Sequence, residues 1–500
     1  MKKIVFIGIL GCMGFHAIAQ NSKVINKEGD FGKNMISNKE IVGTEFIFPD
    51  RIEHSYLVTE SNCITVQLRG LFMGGNLLQN NGNVILYDLA NKKTIWEKDI
   101  NYQNYYLEQD GKFIFKTGLK KTYCLDFGNG EELWKAKNTI AFVQSELQIG
   151  IGYTPYISNQ LFYNNIDFEG IDLNTGNSIW KRPISQQYGL NNIFMINDTV
   201  ALVVSSGLHS VNLNTGAGWD YDAVTGTAFF KEMKTGIRSN VIIDSLDIYF
   251  ASKEKISRLD LNGHVIWSSP LPEKLTSSSY IMRMDSTLFM INTGSCLLNY
   301  AQIKQGKPYL AAFDIKNGHK LFLNTVDDKS GKINASLIDK EELIVLYKDK
   351  IAKCSGKNGT LISEKSFDRK VYGELVGFVG SNIYNKYDAT YKSLILTDTL
   401  NHYVHTNNKM ILAIDKNLNI VNLYGDDQLY QLNLQYNQLI FLTNKENTIV
   451  VDENNETVAK IDISGKAKKI GSKLYFVKEK SIIEIDLNQI SSVESKNENK

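Results

Sequence analysis

One short phrase recurs along this chain and constrains its fold more than any other feature. Leu-Asp-Phe-Gly-Asn-Gly-Glu-Glu-Leu-Trp ends at Trp134, Ile-Asp-Leu-Asn-Thr-Gly-Asn-Ser-Ile-Trp at Trp180, and Leu-Asp-Leu-Asn-Gly-His-Val-Ile-Trp at Trp267. Each copy reads as strand, tight polar turn, strand, closed by an aromatic. A turn glycine or asparagine accepts the positive φ that a tight hairpin demands. The aspartate can accept hydrogen bonds from the turn's own amides. The tryptophan offers a flat apolar face for packing between sheets, and its indole N–H can bond across to the next unit.

The first copy runs through Asp88 to Trp96, and others centre on Asp126, Asp172, Asn212, Asp260 and Asp314. In the Asn212 copy Trp219 comes one residue early, and in the Asp314 copy Phe322 stands in the tryptophan's place. The next keeps Asn358-Gly359 but has Ser355 for the aspartate. Later copies fade, at Asp398, Asp452 and Asp486, and residues 409–433 carry extra strand patterns that fit no clean unit. A further strand pair precedes each phrase, as at residues 199–204 and 342–347, so each unit supplies about four strands. Amphipathic helices of useful length are missing from the pattern. Such an all-β unit, repeated at spacings of 34 to 54 residues, is the signature of a β-propeller. The expectation is an all-β chain forming a single β-propeller of four-stranded antiparallel blades. Eight blades in one ring fit best, within a range of seven to ten. Asp88, Trp96, Asp126, Trp134, Asp172, Trp180, Asp260, Trp267, Asp314 and Phe322 are its structural repeat positions.

Composition narrows the setting. Hydrophobic residues make up 43% and charged residues 22% of the 500 residues, ordinary for a soluble globular protein. A net charge of +1 gives no one-signed field to draw in nucleic acid or an anionic membrane. Lys2 and Lys3, the apolar run 4–15 and Ala17-Ile18-Ala19 read as an export signal cut after Ala19. Ile9-Leu10-Gly11-Cys12 resembles a lipoprotein box, but the apolar stretch after Cys12 disfavours a lipid anchor there. No other segment approaches the length of a membrane span. The expected layout is a signal peptide over 1–19, a flexible leader over 20–43, the propeller over 44–490 and a polar tail over 491–500. Cys63, Cys124, Cys296 and Cys354 permit two disulfides in three pairings. Buried thiols are the preferred reading, since Cys124 and Cys354 fall in different units.

The phrases resemble the pyrroloquinoline-quinone-like (PQQ-like) propeller repeat, most closely at residues 84–96, 122–134, 168–180 and 256–267. The resemblance implies the fold and leaves two branches for function. The quinoprotein dehydrogenase branch implies a quinone, a calcium ion and, in the methanol-dehydrogenase type, two adjacent cysteines. This chain has no Cys-Cys pair and no Cys-x-x-Cys-His haem site, and no motif maps onto the aspartate base or calcium ligands. The non-catalytic branch, which includes the propeller of the outer-membrane assembly machinery, fits better. It implies no cofactor, an exported chain in the periplasm or at the outer membrane, and an envelope protein or peptide as partner. The alternatives are a divergent quinoprotein dehydrogenase and a glycan-active or glycan-binding propeller.

Candidate chemistry is sparse, and no catalytic, cofactor or metal residue is assigned. His402 and His405 point to opposite faces of a strand. His209, His264 and His319 lie on or beside repeat strands, where structural or solvated roles are the default. Asp327-Asp328 and Asp426-Asp427 read as solvated hairpins rather than calcium loops. Tyr102, Tyr105 and Tyr106, Tyr153 and Tyr156, and Tyr300 and Tyr309 are aromatics off the repeat grid, where a glycan platform would lie. The best pointer is irregularity, because loops carry function on rigid scaffolds. Asp260 and Asp314 stand 54 residues apart, against 38 for Asp88 and Asp126, and much of the excess is residues 293–308. Tyr300, Gln302, Lys304 and Gln305 form the candidate partner-binding loop. A second irregular stretch, residues 217–238, is the weaker candidate.

Overall fold

A computed structural model describes residues 23–490, except 59–61, 72–77, 102–105, 110, 118–120, 138, 154–166, 185–191, 225–235, 273–274, 299–300, 305, 326–332, 380–382, 388–391, 396–400, 426–428 and 455. The signal peptide, Cys12 and the 491–500 tail lie outside the described residues.

The chain is a β-propeller of four-stranded antiparallel sheets, with a single short α-helix, Arg369–Tyr372, among the described residues. Eight such sheets stand separately: sheet 1 (residues 51–101), 2 (106–136), 3 (139–183), 4 (192–221), 5 (242–270), 6 (279–325), 7 (335–366) and 8 (375–425). Two further sets of four lie within one continuous eleven-stranded sheet. Sheet 9 takes residues 429–461, and sheet 10 takes residues 467–486 together with Glu40–Ile47. The described residues thus make ten four-stranded units, eight separate and two within the continuous sheet, against the eight expected within a range of seven to ten.

The strand sequences follow from this stacking. Middle strands are covered on both faces, so they read as unbroken apolar runs rather than alternating ones. In Val200–Val204, Ala201 and Val203 pack towards sheet 3 while Leu202 and Val204 pack towards sheet 5. In Glu342–Leu346, Leu343 and Val345 face sheet 6 while Ile344 and Leu346 face sheet 8. Shared cores join sheets 1 to 2, 2 to 3, 3 to 4 and 4 to 5. Others join 5 to 6, 6 to 7, 7 to 8 and 9 to 10. The core of Phe46, Phe48, Ile64, Tyr87 and Ile482 then joins sheet 10 back to sheet 1, while sheets 8 and 9 share no such core among the described residues.

The repeat phrase holds neighbours together. Asp126 Oδ1 accepts from the amides of Gly128 and Asn129 at 2.9 and 3.0 Å, and Asp172 Oδ1 from Asn174 at 2.8 Å. The indole N–H of each tryptophan then donates to a carbonyl of the next unit's turn. Trp96 reaches Phe127 at 2.7 Å, Trp134 reaches Leu173 at 2.8 Å and Trp267 reaches Ile315 at 3.0 Å. Trp219, one residue out of place in the sequence, still reaches Leu261 at 2.9 Å. Each ring lies over the next turn's glycine. At Gly176, with φ +73°, an added Cβ would sit 2.6 Å from the Trp134 ring.

Two sequence expectations are corrected here. Residues 23–43, expected as part of a loose leader, are ordered. Ile25–Asn34 is a strand that pairs with Glu40–Ile47, and its residues Gly32–Asn34 also pair with Ala459–Ile461 of sheet 9. Glu40–Ile47 in turn pairs with Ser481–Asp486, so the N-terminal segment supplies the outer strand of the last sheet. Half of Ile25–Asn34 is exposed and the strand is held through its backbone, which is why no hydrophobic alternation marks it. The eighth phrase centres on Asp415, inside the stretch that fitted no unit, and Asp398 lies outside the described residues. There Leu418, at φ +64°, takes the position a glycine usually holds.

Two measurements test this account. Gly176→Ala should cost about 2–4 kcal/mol, since it adds both left-handed strain and a clash with Trp134. Urea unfolding of the variant reads that difference directly. Removing residues 23–47 should leave the Ser481–Asp486 edge unpaired, and size-exclusion chromatography should show association in place of a monodisperse peak.

Candidate functional site

The 293–308 excess forms a β-hairpin of its own. Sheet 6 runs from Thr287–Asn292 as its second strand to Tyr309–Asp314 as its third. Between them Ser295–Leu298 pairs with Ala301–Lys304 as a separate two-stranded sheet. Gln302 sits opposite Leu297, and Lys304 opposite Ser295. Tyr300 and Gln305 lie outside the described residues.

The base of this hairpin is built rigidly. Asn292 is fully buried where the second strand ends. Its Oδ1 accepts from the Ser277 amide at 2.7 Å, the Ser277 hydroxyl at 3.0 Å and the Ser279 hydroxyl at 3.2 Å. Its Nδ2 donates to the carbonyls of Leu275 at 2.9 Å and Lys307 at 2.7 Å. One amide therefore ties both feet of the hairpin to the preceding segment. Beside it Tyr309 and Thr276 share a hydroxyl–hydroxyl bond of 2.7 Å, and burial pushes the Tyr309 phenol up to about 12. At the far foot Gly306, with φ +72°, lies against the Leu275 backbone, where a Cβ would come within 2.2 Å of the carbonyl oxygen. Above this fixed base the hairpin's outer edges pair with no other strand among the described residues.

The other sequence candidates separate. Tyr309 is a core residue, not part of a surface aromatic row. Tyr102, Tyr105 and Tyr156 lie outside the described residues, as do Asp327-Asp328 and Asp426-Asp427. His402 and His405 both lie on strand His402–Thr406. His402 packs edge-on against Phe378 and sits 3.6 Å from Asp339 of sheet 7, and burial lowers its pKa. Cys63, Cys124 and Cys354 are buried thiols, and burial pushes Cys124 up to about 12. The repeat tryptophans Trp96, Trp134, Trp180 and Trp267 are all buried between sheets.

One irregularity went unread in the sequence. A hairpin of Ile383–Tyr387 and Lys392–Ile395 interrupts sheet 8 and pairs with Leu429–Tyr436, the first strand of sheet 9, through Ile383↔Gln431. It extends sheet 9 on the side away from its outer strand.

Residues 68–269 match a family model described as outer membrane protein assembly factor BamB. This segment carries the PQQ-like β-propeller repeat. The match takes in the best-formed phrases, from Trp96 to Trp267. Comparison with curated proteins gives no match for this PQQ-like propeller. Among solved structures, BamB from Moraxella catarrhalis is 13% identical, covers 71% of this chain and 96% of its own, and has a TM-score of 0.34. Sqt1 from Saccharomyces cerevisiae is 10% identical, with coverages of 75% and 97% and a TM-score of 0.34. A europium-containing methanol dehydrogenase is 12% identical, with coverages of 71% and 84% and a TM-score of 0.28. At such scores these likenesses add nothing to the assignment.

Asn292→Ala should cost about 2–4 kcal/mol, because it strands buried amides and carbonyls. Hydrogen exchange should quicken first at residues 295–304, while Asn292→Asp should fail to restore the two donated bonds.

Proposed function

We propose that this propeller is an exported scaffold of the bacterial envelope that holds a protein or peptide partner on the face bearing the 295–304 hairpin. The observation that carries the reading is that hairpin: two short strands on a rigid base, with edges that pair with no other strand among the described residues. An extended peptide can add to such an edge through main-chain hydrogen bonds, and side chains such as Gln302 and Lys304 then select among sequences. The matched family model, described as an assembly factor of the outer membrane, supports an envelope setting. The basic, apolar and small-residue order of residues 1–19 supports export.

The test is cross-linking in intact cells followed by affinity purification of the tagged full chain. Wild type is compared with a variant in which residues 296–306 are replaced by a two-residue turn. A specific envelope protein should be recovered with wild type and fall at least about tenfold with the variant, while the two melt alike. Equal recovery from both would remove the hairpin from the proposal. Recovery of the protein alone from both, under conditions that capture known envelope complexes, would overturn the scaffold reading itself.

A further inference from the structure

Sheet 4 carries a constellation that the scaffold reading does not use. Its second and third strands, Val200–Val204 and Leu208–Asn212, turn through Ser205-Ser206-Gly207. His209 lies on the third strand and is the register partner of Asp220 on the fourth, Asp220–Tyr221. His209 Nδ1 sits 2.6 Å from Asp220 Oδ1, and its Nε2 sits 3.1 Å from the Ser205 hydroxyl oxygen. One imidazole thus bridges a carboxylate and a hydroxyl.

The surroundings fix the direction of this relay. Arg182, from sheet 3, donates Nη2 to the same Asp220 oxygen at 2.6 Å and Nη1 to the Ser210 carbonyl at 2.7 Å. An ionised Asp220 accepts from Nδ1–H, so Nδ1 carries the ring proton and Nε2 turns a lone pair towards Ser205. That is the tautomer a general base needs. The charged groups facing His209 are Asp220, Arg182 and Asp222. Burial lowers the imidazole's pKa against the opposing pull of Asp220, which keeps the ring neutral near pH 7. At Asp220 the upward push of burial is outweighed by the bonds from Arg182 and His209, so the carboxyl stays ionised.

We propose that Ser205, His209 and Asp220 form a nucleophile, base and orienting carboxylate that take the acyl group of small carboxylic esters. Ser205 Oγ bonds to the ester carbonyl carbon while its proton passes to His209 Nε2. The carbon–oxygen bond to the alcohol then breaks, and the alcohol leaves with that proton. Water, giving a proton to His209, attacks the acyl-serine. The carboxylic acid departs and the proton returns to Ser205. Atoms balance as a hydrolysis, with no oxidant or reductant. Ser205 is 1% exposed and the backbone of Gly236 lies against Ser206, so an acyl donor reaches Oγ only when the 205–207 turn moves aside. Acetyl esters need the least such movement, which is the basis for proposing small acyl groups. The proposal is independent of the partner reading and lies in the connection between second and third strands, the same position in its sheet that the 295–304 hairpin holds in sheet 6.

The experiment uses the purified full chain, a small alkyl fluorophosphonate and p-nitrophenyl acetate, with peptide-level mass spectrometry to locate the adduct. One adduct should form at Ser205 and be absent in Ser205→Ala. His209→Gln keeps the hydroxyl and should slow labelling by about 100-fold or more. Asp220→Asn should slow it as well, by disturbing the tautomer. The rate should fall as pH drops and His209 protonates, with a midpoint below the ordinary imidazole value of 6.5. Circular dichroism and melting keep unfolded variants out of the comparison. Failure to label Ser205 under conditions that label a known serine hydrolase would overturn the proposal. So would labelling that His209→Gln leaves unchanged.

Discussion

The ring depends on one contact repeated between neighbours: an indole laid over the next unit's turn glycine, its N–H bonded to the carbonyl that follows the repeat aspartate. The contact imposes three requirements at once. The turn must lack a Cβ where the ring lands, its amides must be gathered by a carboxylate or amide oxygen, and its backbone must offer a carbonyl at a fixed height. Asp172, Gly176 and Leu173 meet these for Trp134, and Asp260, Gly263 and Leu261 meet them for Trp219. The aromatic itself is less constrained than the turn. Phe322 forgoes the hydrogen bond and still packs over Gly359, so the apolar face, not the N–H, is the irreducible part.

This division explains what could be read from the sequence. Residues that serve two units at once leave a dense signature, and the phrases from Trp96 to Trp267 were legible for that reason. The signature thins where one requirement is met differently. At Asp415 the carboxylate still accepts from the amides of Asn417 and Asn419, at 2.9 and 2.7 Å. Leu418 supplies the positive φ and no tryptophan follows, so the unit looked like noise. The N-terminal strands were illegible for another reason. Ile25–Asn34 bridges Glu40–Ile47 and Ala459–Ile461 through backbone pairing, and main-chain hydrogen bonds leave no side-chain pattern.

The site divides along the same line. The 295–304 hairpin was visible as excess length, because an insertion into a regular repeat shifts every later copy. Its anchor was not: Asn292 is an unremarkable asparagine until the fold brings Ser277, Leu275 and Lys307 around it. Ser205, His209 and Asp220 were also unreadable as a group. His209 and Asp220 meet across strands, and the Arg182 that fixes Asp220 comes from the neighbouring sheet. Cross-strand and cross-sheet contacts carry no characteristic spacing, so such sites appear only once register is known.

Closure by the N-terminal strand gives the scaffold a further property. Sheet 10 is completed by residues from both ends of the described chain, and Ile25–Asn34 reaches on to sheet 9. Its core with sheet 1 therefore forms only after the whole repeat array is present. Sheets 1 to 8 each come from contiguous sequence and can assemble in order, with each tryptophan finding a turn already made or about to be made. The last step is the non-local one, joining residues 43–47 to residues 481–485, and it carries the largest loop-closure entropy in the molecule. Once made, it leaves no free edge at the seam between the last sheet and the first strands. The hairpin above sheet 6 keeps its unpaired edges while the seam loses its own, and that contrast makes it the more natural place for a partner strand to add.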